Sequence, residues 1–84
     1  MKEIIRKYRK EIEEIDKRMP WKQIAELYLF NKEPDNWLFT VITEYKLLIR
    51  EVQGMEEYPD KWKGMENHPQ THIDALKQLL EVKE

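Results

Sequence analysis

Hydrophobic residues along this chain recur mostly at intervals of three and four, which is the spacing of one face of an α-helix. The clearest stripe is N-terminal and consists of Ile4, Tyr8, Ile12, Ile15 and Met19. Opposite charges four residues apart, such as Glu3 and Lys7, line the remaining surface and support a helix. The pattern predicts a first helix over residues 2–19. Pro20 ends it, because the residue before a proline disfavours helical backbone.

Two further apolar patterns follow Pro20. Residues 21–30 predict a short second helix that is apolar on so many sides that we expect it to be packed rather than to lie free on a surface. Residues 35–53 carry the widest stripe and predict a central third helix, with Gly54 at its C′ position. A strand over residues 37–43 is the competing prediction, because that segment contains a run of β-branched residues.

Glycines and prolines at five-residue intervals interrupt the helical pattern after the third helix. A connection with a short helix near residues 59–65 is predicted there. The last helix is predicted over residues 71–82, with Thr71 as its N-cap and the Asp74 carboxylate reaching back to complete a capping box. Together these elements predict one all-α domain over residues 1–84, a small four-helix bundle-like fold.

Composition argues against an enzyme and against bound cofactors. The 84 residues include no cysteine and no serine, and the two glycines are isolated, so thiolate zinc sites, the common nucleophiles and a glycine-rich phosphate loop are excluded. His68 and His72 have the spacing of two metal ligands on one helical face, but Pro69 between them argues against a helix at His68. We therefore predict no metal site.

Acidic helices give the chain a similarity to the all-α nucleotide pyrophosphohydrolases, which hold magnesium between paired Glu-x-x-Glu motifs. Glu44 and Glu51 are seven residues apart and do not reproduce that motif. The prediction is therefore a protein without catalytic activity.

Neither the hydropathy nor the charge of the chain indicates a membrane or nucleic-acid protein. There is no apolar run long enough to span a bilayer and no apolar secretory segment at the N-terminus, so a cytoplasmic location is predicted. The net charge is −2, which argues against a protein built mainly to bind phosphate backbones.

A DNA-binding regulator is the alternative function. The segment PWKQIAELY, residues 20–28, resembles the first helix of a helix-turn-helix, in which Trp-x-x-Ile-Ala is a common core pattern. The resemblance implies that the following helix would enter a DNA groove. The phosphate contacts would then come from the basic N-terminal residues, which are Lys2, Arg6, Lys7, Arg9 and Lys10.

Protein–protein interaction is the preferred function, because the nine aromatic residues do not all fall on the buried stripes. Aromatic residues and methionine are enriched at interface centres. The irregular segment after the third helix carries four such candidates for partner binding, which are Met55, Tyr58, Trp62 and Met65. The competing interpretation is that these four side chains cover one end of the bundle.

In composition the chain resembles the small, Lys/Glu/Ile-rich helical accessory proteins of phages and mobile elements in low-GC bacteria. That resemblance implies a protein that binds a larger host protein machine and inhibits or redirects it. A second copy of the chain, in a homodimer, is the other partner considered.

Overall fold

The computed structural model describes residues 2–83, with side chains over residues 2–81, and every regular element in that range is helical. The elements are α1 Lys2–Arg18, α2 Trp21–Phe30, α3 Asn36–Glu57, a 3-10 helix Pro59–Trp62 and α4 His68–Lys83. The prediction of a small all-α, bundle-like domain is confirmed. None of the helices described is both long and apolar enough to cross a membrane.

The strand considered over residues 37–43 is wrong, because that segment forms the first turns of α3. The start of the helix is capped by Asp35, whose Oδ1 accepts a hydrogen bond of 2.7 Å from the backbone N–H of Leu38. Such a cap satisfies one of the backbone donors that a helix leaves unpaired at its N-terminus, and it outweighs the strand preference of the β-branched residues.

Three helices form the packed core of the fold. α3 runs along α4, and α1 packs against both. The buried apolar side chains are Tyr8, Ile12, Ile15, Met19, Ile24, Leu38, Val41, Leu48, Val52, Met55, Ile73, Leu76 and Leu80. α2 contributes only Ile24 to this set, so the expectation that α2 would be packed is wrong. The reason is that α1 and α4 already bury the central stripe of α3, which contains Val41, Leu48 and Val52.

α3 continues to Glu57, four residues beyond the predicted end, and Gly54 lies inside it. The following residue, Met55, is fully buried, which favours continuation of the helix. A Cβ at Gly54 would lie 2.9 Å from Nε1 of Trp62. Glycine is therefore placed here by the close approach of the Trp62 indole to the helix, and it does not act as a C′ residue.

α4 begins at His68, three residues before the predicted start. Pro69 lies in the first turn, where a proline is tolerated because its missing N–H would have no partner within the helix. Thr71 is therefore inside the helix and is not its N-cap. The Asp74 carboxylate accepts a hydrogen bond of 2.9 Å from the glutamine four residues before it. The argument that Pro69 keeps His68 and His72 off a common helical face is wrong for the same reason.

The connection between α3 and α4 contains a shorter helix than predicted. The 3-10 helix ends at Trp62 rather than at residue 65, and Gly64 follows with a φ of 84° in the left-handed region. The hydroxyl of Tyr8 donates a hydrogen bond to the carbonyl oxygen of Glu66, which attaches the connection to α1. Burial of this hydroxyl raises the pKa of Tyr8 above its ordinary value.

Candidate functional site

Large apolar side chains are exposed on and beside α2. They are Trp21, Tyr28, Leu29, Phe30 and Phe39. Leu29 is 75% exposed and Tyr28 is 67% exposed, and these two neighbouring residues point in different directions around the helix axis. The last turn of α2 is therefore apolar both toward α3 and toward solvent. Exposed apolar surface of this kind is typical of protein interaction sites.

An open groove follows one face of α3 beside α2. It consists of three adjoining depressions of about 290, 190 and 250 Å³. Its larger apolar lining side chains are Trp21, Ile24, Leu27, Tyr28, Phe39, Ile42, Tyr45 and Ile49. Lys46 lines all three depressions, so it lies where they meet. We refer to this surface as the α2–α3 groove.

The charged residues that line the α2–α3 groove are all basic. They are Lys32 in the first depression, Lys46 in all three and Arg50 in the last, and no described lining residue is acidic. Neither Lys46 nor Arg50 forms an ion pair with another described residue, while the Lys32 Nζ lies 5.9 Å from the ring centroid of Phe30. The groove is thus locally positive in a chain whose net charge is −2.

The N-terminal end of α2 is fixed to α1 and α3 by an aromatic and polar cluster. Nε1 of Trp21 donates a hydrogen bond of 2.9 Å to the carbonyl oxygen of Asp16. The Trp21 ring meets the ring of Tyr45 edge-on, with the centroids 5.5 Å apart. The Tyr45 hydroxyl donates to Oδ1 of Asp16 at 2.5 Å. Burial first, and the Asp16 carboxylate second, raise the pKa of Tyr45 to about 12.

The four residues predicted to bind a partner separate into two pairs. Met55 is fully buried, so the prediction that it contacts a partner is wrong. Trp62 is half-buried against the core, and both side chains cover the end of the bundle. Tyr58 and Met65 are exposed. Nζ of Lys61 lies 4.9 Å from the Tyr58 ring centroid and shields part of that ring. Partner binding by Tyr58 and Met65 stays a prediction.

The basic residues of the DNA-binding alternative, Lys2, Arg6, Lys7, Arg9 and Lys10, are all exposed on α1. Arg9 forms an ion pair of 2.5 Å with Glu56, which places this basic cluster beside the C-terminal end of α3. A helix-turn-helix reads DNA with the N-terminal part of its recognition helix, which would be the opposite end of α3. The fold therefore separates the two features on which the DNA-binding alternative depends.

A polar cluster between α3 and α4 was missed by sequence reasoning. Glu44 and Glu51 lie two turns apart on α3 and face His68 and His72, which lie one turn apart on α4. Nδ1 of His72 contacts Glu44 at 2.5 Å, and its Nε2 contacts Glu51. The sequence shows that Glu44 and Glu51 are seven residues apart and that His68 and His72 are four residues apart. These spacings indicate a shared cluster only once α3 is known to pack against α4.

This cluster joins two helices and does not form a metal site. Nδ1 of His68 lies 3.3 Å from Oε1 of Glu51, yet the two atoms are not aligned for a hydrogen bond and the buried Oε1 has no such partner. Within residues 2–83, no group of three or more histidine, aspartate or glutamate side chains is arranged to hold a metal ion. The polar cluster therefore contributes to helix pairing.

No model of a known protein family, no curated protein and no solved structure matches the chain at a significant level. The function that we propose therefore depends on the surface of the molecule itself, where the α2–α3 groove joins three depressions with largely apolar linings.

Proposed function

We propose that the protein is a cytoplasmic, non-enzymatic protein-binding module whose partner docks on the α2–α3 groove. The observation that carries this proposal is that the last turn of α2, residues 27–30, is apolar on every side, and that Ile24 is the only residue of α2 that is buried. Fully burying a large apolar side chain is worth about 1.5–3 kcal/mol. A partner that covers Tyr28 and Phe39 would recover that free energy.

The biological role that we propose for this docking is inhibition or redirection of a larger protein. Occupation of the groove attaches a compact helical domain of 10.4 kDa to the partner, and its bulk blocks part of the partner surface. This is the mode of action of the phage and mobile-element accessory proteins that the composition resembles.

The chemistry of the groove favours a protein partner over DNA. Base edges and phosphates need several hydrogen-bond donors, whereas the walls of the groove are mainly aliphatic and aromatic side chains. Its three cations would supply few phosphate contacts, and the basic cluster of α1 lies toward the other end of α3.

Two exposed tyrosines provide a matched pair of variants for this test. Tyr28 lies in the groove and is 67% exposed, and Tyr58 lies outside it and is 55% exposed. The wild-type protein, Tyr28→Asp and Tyr58→Asp would each be immobilised and used to capture partners from host-cell lysate. Circular dichroism and thermal melting would verify that both variants remain folded.

If the partner docks in the groove, the wild type and Tyr58→Asp capture the same protein in stoichiometric amount and Tyr28→Asp loses it, because the apolar ring is lost and the new carboxylate must give up its water under the partner. If the partner instead binds Tyr58 and Met65, Tyr58→Asp is the variant that loses it. Undiminished capture by Tyr28→Asp contradicts docking in the groove. Salt-sensitive binding of duplex DNA without any protein partner would support the DNA-binding alternative.

A further inference from the structure

We infer that the α2–α3 groove recognises an acidic amphipathic α-helix. The inference rests on the proposed function, since it specifies the chemistry of the partner that docks in the same groove. Three observations carry it: the helical nature of both walls, the succession of apolar depressions, and the sign of the charges along them.

Helical walls determine the backbone conformation that the groove accepts. Apart from Met19, Lys32 and Pro34, the lining residues belong to α2 and α3, whose backbone N–H and C=O groups are hydrogen-bonded within the helices and cannot pair with an extended strand. An extended peptide in this groove would bury its own backbone polar groups without partners, which costs free energy. A helix satisfies its own backbone and can place an apolar face against the walls. The groove therefore favours a helical ligand.

The adjoining depressions fit successive apolar side chains of such a helix. The first is bounded by Leu27 and Phe39, and the second by Ile24 and Tyr45. Large residues at positions i, i+3 or i+4, and i+7 of an amphipathic helix lie on one face and would enter the depressions in order.

The basic residues of the groove favour a ligand with acidic side chains. Lys46 and Arg50 lie one helical turn apart on α3, and neither has an ion-pair partner among the described residues. Acidic side chains spaced one turn apart on the ligand would meet both of them. A basic ligand would be repelled at the same two positions, so the charge of the groove selects against it.

Three synthetic peptides test this inference with the full-length protein. The first is an amphipathic helix with leucine on one face and glutamate on its flanks. The second replaces every glutamate with lysine, and the third keeps the glutamates but replaces every leucine with glutamine. Affinities would be measured by fluorescence anisotropy, and the helicity of the bound peptide by circular dichroism.

We expect the acidic amphipathic peptide to bind as a helix and at least about tenfold more tightly than either control peptide. Lys46→Glu should weaken its binding by about tenfold and should favour the lysine peptide instead. The matched control is Lys10→Glu, an exposed position on α1, which should leave the affinity unchanged.

Other outcomes overturn the inference and separate it from the proposed function. Equal affinities for the glutamate and lysine peptides would contradict charge selection while leaving apolar docking in place. Failure of every peptide, together with a lysate partner that is lost in Tyr28→Asp, would show that the groove binds a different kind of surface. A dimer that Tyr28→Asp dissociates would assign the groove to a second copy of the chain.

Discussion

Replacing Gly54 with alanine should have opposite effects on stability depending on whether Trp62 is present. Glycine to alanine inside a helix is ordinarily worth about 1 kcal/mol of added stability. Here the new methyl group would lie 2.9 Å from Nε1 of Trp62 and 3.4 Å from two carbons of the same indole. The indole must move, and overpacking of this kind costs about 1–3 kcal/mol. The expected net effect is a loss of about 1 kcal/mol.

Removing the indole reverses the sign. In a Trp62→Ala background the three nearest contacts of the added methyl group are removed, so Gly54→Ala should increase the free energy of unfolding by about 1 kcal/mol. The coupling energy between the two positions is then about 2 kcal/mol, within the range found for residues in direct contact.

Urea denaturation of the four proteins of this double-mutant cycle, followed by far-UV circular dichroism, measures the coupling. Gln53→Ala is the control, because Gln53 is exposed on the same turn of α3 and its substitution should change stability by no more than about 0.5 kcal/mol in either background. If Gly54→Ala changes stability equally in the presence and absence of Trp62, the indole does not explain the glycine.

Two further predictions concern the polar contacts between helices. The raised pKa of Tyr45, about 12 in the folded state against about 10 unfolded, means that its contribution to stability is complete below pH ~10 and lost as the pH rises through ~12. Thermal melts over that interval should show a steeper loss of Tm for the wild type than for Tyr45→Phe, and parallel curves would contradict the assignment. His72→Ala leaves the carboxylates of Glu44 and Glu51 unpaired between α3 and α4 and should cost about 2 kcal/mol or more in urea denaturation. The exposed His68 is the control, since His68→Ala should cost less than about 1 kcal/mol.

Local periodicity was sufficient to predict the helices that pack against one another. Tyr8, Ile12 and Ile15 are buried as their spacing indicates, because an apolar stripe on one face of a helix is removed from water only when that face packs against the core. The ends of the helices depend on contacts that no local pattern contains. α3 continues past Gly54 since Met55 is buried, and residue 54 is glycine because the indole of Trp62, eight positions along the chain, packs against it.

The candidate site was harder to predict for a different physical reason. The apolar residues of α2 indicate a surface that must be covered, but the sequence does not distinguish cover by the same chain from cover by another molecule. The sequence therefore predicts a packed second helix, and the structure exposes its Tyr28 and Leu29. The polar cluster of Glu51 and His72 required the pairing of α3 with α4, which the separate periodicities do not specify.

The incomplete packing of α2 has a consequence for its local unfolding. A helix of ten residues is marginally stable in water without tertiary contacts, and α2 contacts the core only through Ile24 and the half-buried Leu27, with Trp21 fixing its N-terminal end. The backbone amides of its last turn should therefore exchange with solvent through local opening, at a free energy well below that of global unfolding. The observed affinity of any ligand that binds this helix is then reduced by the free energy needed to keep α2 folded. Mutations that strengthen α2 would tighten binding without touching the ligand.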